Sequence, residues 1–297
     1  MNWTLRRLGW ILVLMTLSGV YVPLVTPFDA AGGIALDAVE RLAHEVLDDG
    51  AAGIVALGTT GEPASLTADE RRGVLDVVGG VCRERSAPLV VGASTQDALD
   101  ALAGTGATAA LAVVPPFVRP GEDGVVAHFA HLTGPVPLVV YHIPYRTGQA
   151  LSAGALRRIA ALPHVIGVKH AVGGIDADTV DLLADPPADF AVLGGDDLFI
   201  SPLLALGAQG AILASAHFAT KSFVELVDAW RTDPVRAREL GGRLAALSNA
   251  VFTAPNPTVV KALLHAQGRI PTPDVRLPLL AADPALVAEA VRISQGW

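Results

Sequence analysis

Lysine is nearly absent from this chain. Of its 297 residues 21 are Lys or Arg, and only Lys169, Lys221 and Lys261 are lysines. Cysteine is rarer still, with Cys82 alone. A single cysteine excludes an intrachain disulfide framework and any multi-cysteine metal site. Its helical surroundings suit a small buried hydrophobe. Positive charge is also short: 29 acidic residues against 21 basic ones give a formal net charge of -8. That balance argues against a partner made of nucleic acid, which needs concentrated positive surface, and against an anionic membrane. No strand–helix turn carries a GxGxxG fingerprint, and no HExxH-like spacing joins histidines to carboxylates. Neither a dinucleotide cofactor nor a metal is therefore expected.

What is present is apolar and periodic. The chain is 52% hydrophobic and 17% charged, enough to bury one barrel-sized core or two smaller ones. At the N-terminus Arg6-Arg7 precede the apolar run Leu8–Leu17. This has the charged and apolar regions of a signal peptide, but the run is too short to span a bilayer and no small-x-small cleavage pattern follows. Strand chemistry starts at once with Tyr21-Val22-Pro23-Leu24-Val25, and Met15 offers an alternative start. Residues 1–17 read as an upstream extension on a cytoplasmic protein, with secretion as the other reading.

From there, short β-rich runs alternate with helical patterns. Tyr21–Val25, Gly53–Leu57, Pro88–Ala93, Ala109–Val114, Pro137–Tyr141, Val165–Lys169, Phe190–Leu193 and Ala211–Ala214 are each followed by an amphipathic segment. Thr67 and Glu70 form a capping-box pair ahead of one of these. The runs are continuously apolar and do not alternate with polar residues, as strands buried on both faces require. Eight such units over residues 18–233 predict a (β/α)8 TIM barrel; a doubly wound open sheet is the alternative. Beyond Asp233 only helical patterns remain, at Pro234–Phe252, Pro257–Gln267 and Pro284–Ser294. Residues 234–297 read as a C-terminal helical region.

In a barrel, reacting groups project from the C-terminal ends of the strands. The sixth run, Val165-Ile166-Gly167-Val168-Lys169-His170, places a rare lysine there. A buried ammonium must be paired or become neutral, and a neutral amine attacks a carbonyl carbon to give a Schiff base. The strand alone also allows a lysine that reaches out to solvent. Period-two alternation puts Lys169 and Gly167 on one face of their strand, and Tyr141 and Val139 on one face of the preceding one. The Tyr141 phenol could move protons beside Lys169, or simply pack as a core aromatic. Gly58-Thr59-Thr60-Gly61-Glu62 offers amides and hydroxyls to a small anion, or is an ordinary turn. Arg146 can grip a carboxylate bidentately, or stay solvated. His142 and His170 are expected to pack toward the helices, and Asp196 with Asp197 to cap a helix.

Taken together, Pro23-Leu24-Val25-Thr26-Pro27-Phe28, Gly58–Glu62, Tyr141 with Arg146-Thr147-Gly148, Gly167-Val168-Lys169, Gly194-Gly195-Asp196-Asp197 and Pro255-Asn256-Pro257 resemble the dihydrodipicolinate synthase / N-acetylneuraminate lyase family. The resemblance runs from about Ser18 to the C-terminus. It implies a class I aldolase acting on pyruvate, or another 2-oxo acid, and an aldehyde, in a homotetramer of two tight dimers. It implies Lys169 as the Schiff-base lysine, with Tyr141 and Thr59 as a proton relay. Thr60, Gly58 and neighbouring amides would hold the pyruvate carboxylate, Arg146 the second substrate, and Ile212 would face the site through its carbonyl. Where synthases carry a tyrosine pair, this chain has Pro116 and Phe117, and a phenyl ring passes no proton. Other readings on the same barrel are a 2-keto-3-deoxy sugar-acid aldolase or dehydratase, and a binding protein without turnover.

Overall fold

Eight apolar runs become eight parallel strands, β1 Gly19–Pro23, β2 Gly53–Ala56, β3 Leu89–Gly92, β4 Ala109–Val113, β5 Leu138–His142, β6 Val165–His170, β7 Ala191–Gly194 and β8 Gly210–Ile212. They follow one another in sequence order and close on themselves, β8 pairing with β1. The structure is a computed structural model that describes residues 17–297. The upstream extension read from the sequence therefore falls, but for Leu17, outside the described residues. Open-sheet topology is excluded by the closure.

Burial on both faces accounts for the unbroken apolar runs. Side chains such as Tyr21, Val55, Leu111, Val139, Leu193 and Ile212 fill the barrel interior as one cluster. Their alternates, among them Val20, Ile54, Ala110, Val140 and Val168, belong to a second cluster shared with the helices. Helix starts follow local chemistry. Thr67 accepts from the Glu70 amide while the Glu70 carboxylate accepts from the Thr67 amide at 2.8 Å, the expected reciprocal cap on helix Ala68–Glu84. Thr95, Ser152 and Asp176 cap the helices that follow them from one side only, each accepting from the amide three residues on.

Most boundaries agree with expectation, and the differences have local causes. β1 ends at Pro23 and not at Val25, because proline has no N–H to give the ladder. The helix expected over Leu198–Leu206 is instead a 3-10 turn, Asp197–Phe199, running into a short helix, Ile200–Ala205. The segment beyond Asp233 forms helices Pro234–Val251, Thr258–Ala266 and Pro284–Ser294. The first of these packs along helix Ala216–Thr232 and against the Asp197–Phe199 turn, so it reaches the C-terminal rim of the barrel. Among the described residues no helix is long and apolar enough to cross a membrane.

Closure between β8 and β1 depends on two facing glycines. A Cβ at Gly210 would stand 2.1 Å from the Gly19 carbonyl oxygen, a backbone atom that cannot swing away. Gly210→Ala is expected to cost about 2–3 kcal/mol as the strands are forced apart. Gly242→Ala is the control, since the position is exposed within helix Pro234–Val251 and a Cβ there meets nothing within 4 Å. It should gain about 1 kcal/mol from helix propensity. Denaturant midpoints for the two variants check this; similar values would show that the seam tolerates a side chain.

Candidate active site

Lys169 is the fifth residue of β6 and lies in register with Tyr141 of β5 and Leu193 of β7. Its side chain points into the barrel mouth and is 7% exposed. The stem needs room that only glycine gives, since a Cβ at Gly195 would sit 2.7 Å from Lys169 Cε. The Nζ stands 4.4 Å from the centre of the Tyr141 ring. Burial pulls the amine down to about 8, opposed by the carboxylates of Asp197 and Asp196 and assisted by Arg146. The lysine that the sequence left between solvent and interior is therefore interior, and a much larger share of it is neutral at physiological pH than of an ordinary lysine.

Tyr141 is 8% exposed. Burial pushes its phenol up to about 12, with Arg146 and a hydrogen bond from Thr59 pulling the other way. It keeps its proton across the physiological range. Thr59 and Thr60 head the 3-10 turn Thr59–Gly61 that follows β2, so their amides have no partner within the turn. Thr60 is buried, and its Oγ1 accepts from Asn256 Nδ2 at 2.9 Å. Arg146 sits in the single helical turn Pro144–Thr147 after β5. Among the described residues it makes no ion pair, so its guanidinium is open to a ligand.

Two cavities meet at these groups. The smaller, about 200 Å3, is lined by Lys169, Tyr141, Thr59, Thr60, Arg146 and Ile212, among others. The larger, about 710 Å3, shares Thr59, Tyr141, Arg146 and Asn256 with it, takes in Gly58, and opens along Leu57, Val113, Pro116 and Leu277. Thus seven of the eight residues picked out from the sequence come together. Phe117 does not. It follows β4 with a φ of 69° and is 87% exposed, and it lines neither cavity. The left-handed backbone at that position turns the ring outward, away from this chain's own site.

A second correction concerns Asp196 and Asp197, which do not cap their own helix through their side chains. Asp196 Oδ2 accepts from the Gly173 amide at 2.6 Å, tying the loop after β7 to the loop after β6. Asp197, 3% exposed, accepts from the Ser215 amide at 2.7 Å and the Ser215 hydroxyl at 2.5 Å. Burial raises its carboxyl to about 6. His142 and His170 do point to the helical layer. His142 Nε2 accepts from the Leu151 amide and His170 Nε2 meets Thr179 Oγ1. Among the described residues no group of three or more histidines, cysteines or carboxylates is placed to hold a metal ion.

Sequence reasoning gave no role to Asn256, which the structure places between the cavities, nor to Glu62 and Lys261. The Lys261 ammonium is fully buried and donates to Glu62 Oε1 at 2.9 Å and to the Thr26 carbonyl at 2.8 Å. The scarcity of lysine was the available signal, and it marked two buried amines, not one.

Known proteins match this arrangement over nearly the full length. The profile of the Dihydrodipicolinate synthetase family matches residues 16–293. The 4-hydroxy-tetrahydrodipicolinate synthase of Neisseria meningitidis serogroup B is 34% identical over 274 residues, covering 89% of this chain and 93% of that one. The crystal structure of dihydrodipicolinate synthase from Thermotoga maritima superposes with a TM-score of 0.90 at 30% identity, over 95% of this chain and 98% of that one. The enzyme from Acinetobacter baumannii, solved in complex with pyruvate, does so with a TM-score of 0.88 at 30% identity, over 94% and 99%. A barrel of this register with its lysine, phenol and hydroxyl turn in these places, matched over such lengths, belongs to the dihydrodipicolinate synthetase family.

Proposed function

We propose that the protein is a class I carbon–carbon lyase that condenses pyruvate with an aldehyde, or cleaves the product, through an imine on Lys169. The single observation that supports this most is a desolvated amine, its pKa lowered to about 8, at the wall of a cavity with room for a small 2-oxo acid. Lys169 Nζ adds to the C2 ketone of pyruvate, and the resulting carbinolamine loses water to give the imine. The cationic imine then takes the electron pair left when a C3 proton departs, giving an enamine that attacks the aldehyde carbon. Tyr141 and Thr59 are the groups proposed to carry protons to and from these centres. Thr60, Gly58 and the turn amides would hold the first carboxylate. Arg146 lines both cavities, and an open guanidinium there suits a second, carboxylate-bearing substrate entering from the larger one. Ile212 is proposed to face the substrate through its carbonyl.

The reading extends to assembly as a homotetramer of two tight dimers. Phe117, Val118 and Leu277, each more than 70% exposed, stand on loops at or beside the larger cavity, and an apolar rim of this kind suits contact with another copy. Sedimentation of the purified chain is expected to give four times the protomer mass; a single protomer mass at micromolar concentration would remove this part.

Pyruvate followed by borohydride should label the protein covalently at Lys169. The timed rate of labelling should climb from pH 6, pass its midpoint near pH 8 and level off about one unit higher, because deprotonation of the ammonium frees the nucleophile. An unmodified Lys169 peptide by mass spectrometry would sink the imine, and a rate flat from pH 6 to 9.5 would sink the lowered amine.

Tyr141→Phe removes the hydroxyl and keeps the ring. Exchange of pyruvate methyl protons in deuterated water should slow by about 100-fold or more, while half-saturation by pyruvate stays within about threefold. Equal losses in both would take the phenol out of the relay.

A further inference from the structure

The hydroxyl turn is gripped by residues from the far end of the chain. Glu62 closes the turn in a left-handed conformation, φ 53°, which a side-chain-bearing residue seldom adopts. Its carboxylate is taken on both sides: Oε1 accepts from Lys261 Nζ at 2.9 Å and Oε2 from the Arg276 backbone amide at 2.9 Å. Lys261 also donates to the Thr26 carbonyl at 2.8 Å, and the Thr26 hydroxyl donates to the Gly61 carbonyl at 2.8 Å. One ammonium thus fastens the end of β1 to the turn after β2. A buried ion pair is rarely more stabilising than a well-packed apolar pair, so its use here points to the geometry it fixes. Lys261 lines neither cavity, which leaves it no direct part in chemistry.

Asn256 completes the grip from inside. Its Nδ2 donates to Thr60 Oγ1 at 2.9 Å. A hydroxyl has one proton to give. With its oxygen already accepting from Asn256, Thr60 is left to donate that proton elsewhere, and the smaller cavity adjoins it.

We infer that Lys261, Glu62 and Asn256 are positioning residues for carboxylate binding, holding the turn so that the Thr60 proton and the turn amides converge on the bound 2-oxo acid. The inference rests on the reading that this turn takes the substrate carboxylate. It makes the C-terminal helical region a working part of the site and predicts an effect on substrate binding distinct from any effect on imine chemistry.

The test measures the pyruvate concentration that gives half-maximal borohydride labelling of Lys169, alongside the extent of labelling at saturation and thermal melting. Asn256→Asp puts an acceptor-only, negative group where the amide donated. It should raise the half-saturating concentration by about tenfold or more, with full labelling still reached at saturation. The double variant Glu62→Gln, Lys261→Met removes both charges together and so leaves no lone buried ion; it should melt cooperatively and raise half-saturation by about fivefold or more. Should the double variant fail to fold, Asn256→Asp alone decides. Unchanged half-saturation in a folded variant overturns the inference, as does a loss of labelling that merely tracks the unfolded fraction. Absence of labelling in the wild-type protein overturns the functional reading and the inference with it. Labelling of the wild type with no shift in the variants overturns the inference alone.

Discussion

Taking an amine out of water is the constraint to which the barrel mouth is fitted. Burial disfavours the ammonium of Lys169, and two carboxylates close enough to reverse that effect, Asp196 and Asp197, stand nearby. They offset it only in part, because among the described residues neither makes an ion pair or hydrogen bond with the amine. Asp196 is held by the Gly173 amide and Asp197 by the amide and hydroxyl of Ser215. A carboxylate in direct contact would have fixed the charge on the lysine and ended its use as a nucleophile. Fastened to the neighbouring loops, the pair offsets part of the desolvation and leaves the amine at about 8. The glycine at 195 belongs to the same balance, since it admits the lysine stem to this position at all.

Lys261 shows what the alternative looks like. It is buried more deeply than Lys169, and burial brings it too to about 8 against the pull of Glu62. The two amines are nearly equal in basicity and opposite in use. Lys261 has a carboxylate and a carbonyl within 2.9 Å and the face of Phe28 at 3.8 Å, and lines neither cavity. Lys169 has a phenol ring at 4.4 Å and open space. Access and partner, not the value of the pKa, separate the lysine proposed to react from the one that packs.

This bears on how far the sequence could be read. Parallel strands buried on both faces leave a mark in composition, so the eight units and the closed barrel were legible from runs such as Pro137–Tyr141. The inward pairing of Lys169 with Tyr141 followed from period-two alternation once those strands were placed. What alternation cannot say is which distant loop a polar side chain will meet. Asp196 and Asp197 fit a helix start by local rules, yet their partners lie 23 and 18 residues away in other loops. The contacts of Asn256 with Thr60 and of Lys261 with Glu62 span 196 and 199 positions. Phe117 is a different case. Its place after β4 was right, but a left-handed φ at a non-glycine residue decides where the ring points, and nothing in the local sequence announces it.

The high pKa of Tyr141 also limits how protons can move. A phenol at about 12 is not ionised at neutral pH, so it cannot wait as a tyrosinate to abstract the C3 proton of an imine. It can donate and accept only in a step where one proton leaves as another arrives, which requires a hydrogen-bonded neighbour. Thr59, which lines both cavities with Tyr141, is the proposed neighbour, and the aromatic side chain after β4 brings no hydroxyl and faces outward. The exchange proposed between Tyr141 and Thr59 would lie where the two cavities share their lining. One desolvation acts on both groups in opposite senses: the wall that keeps water from the amine lowers its pKa and raises that of the phenol.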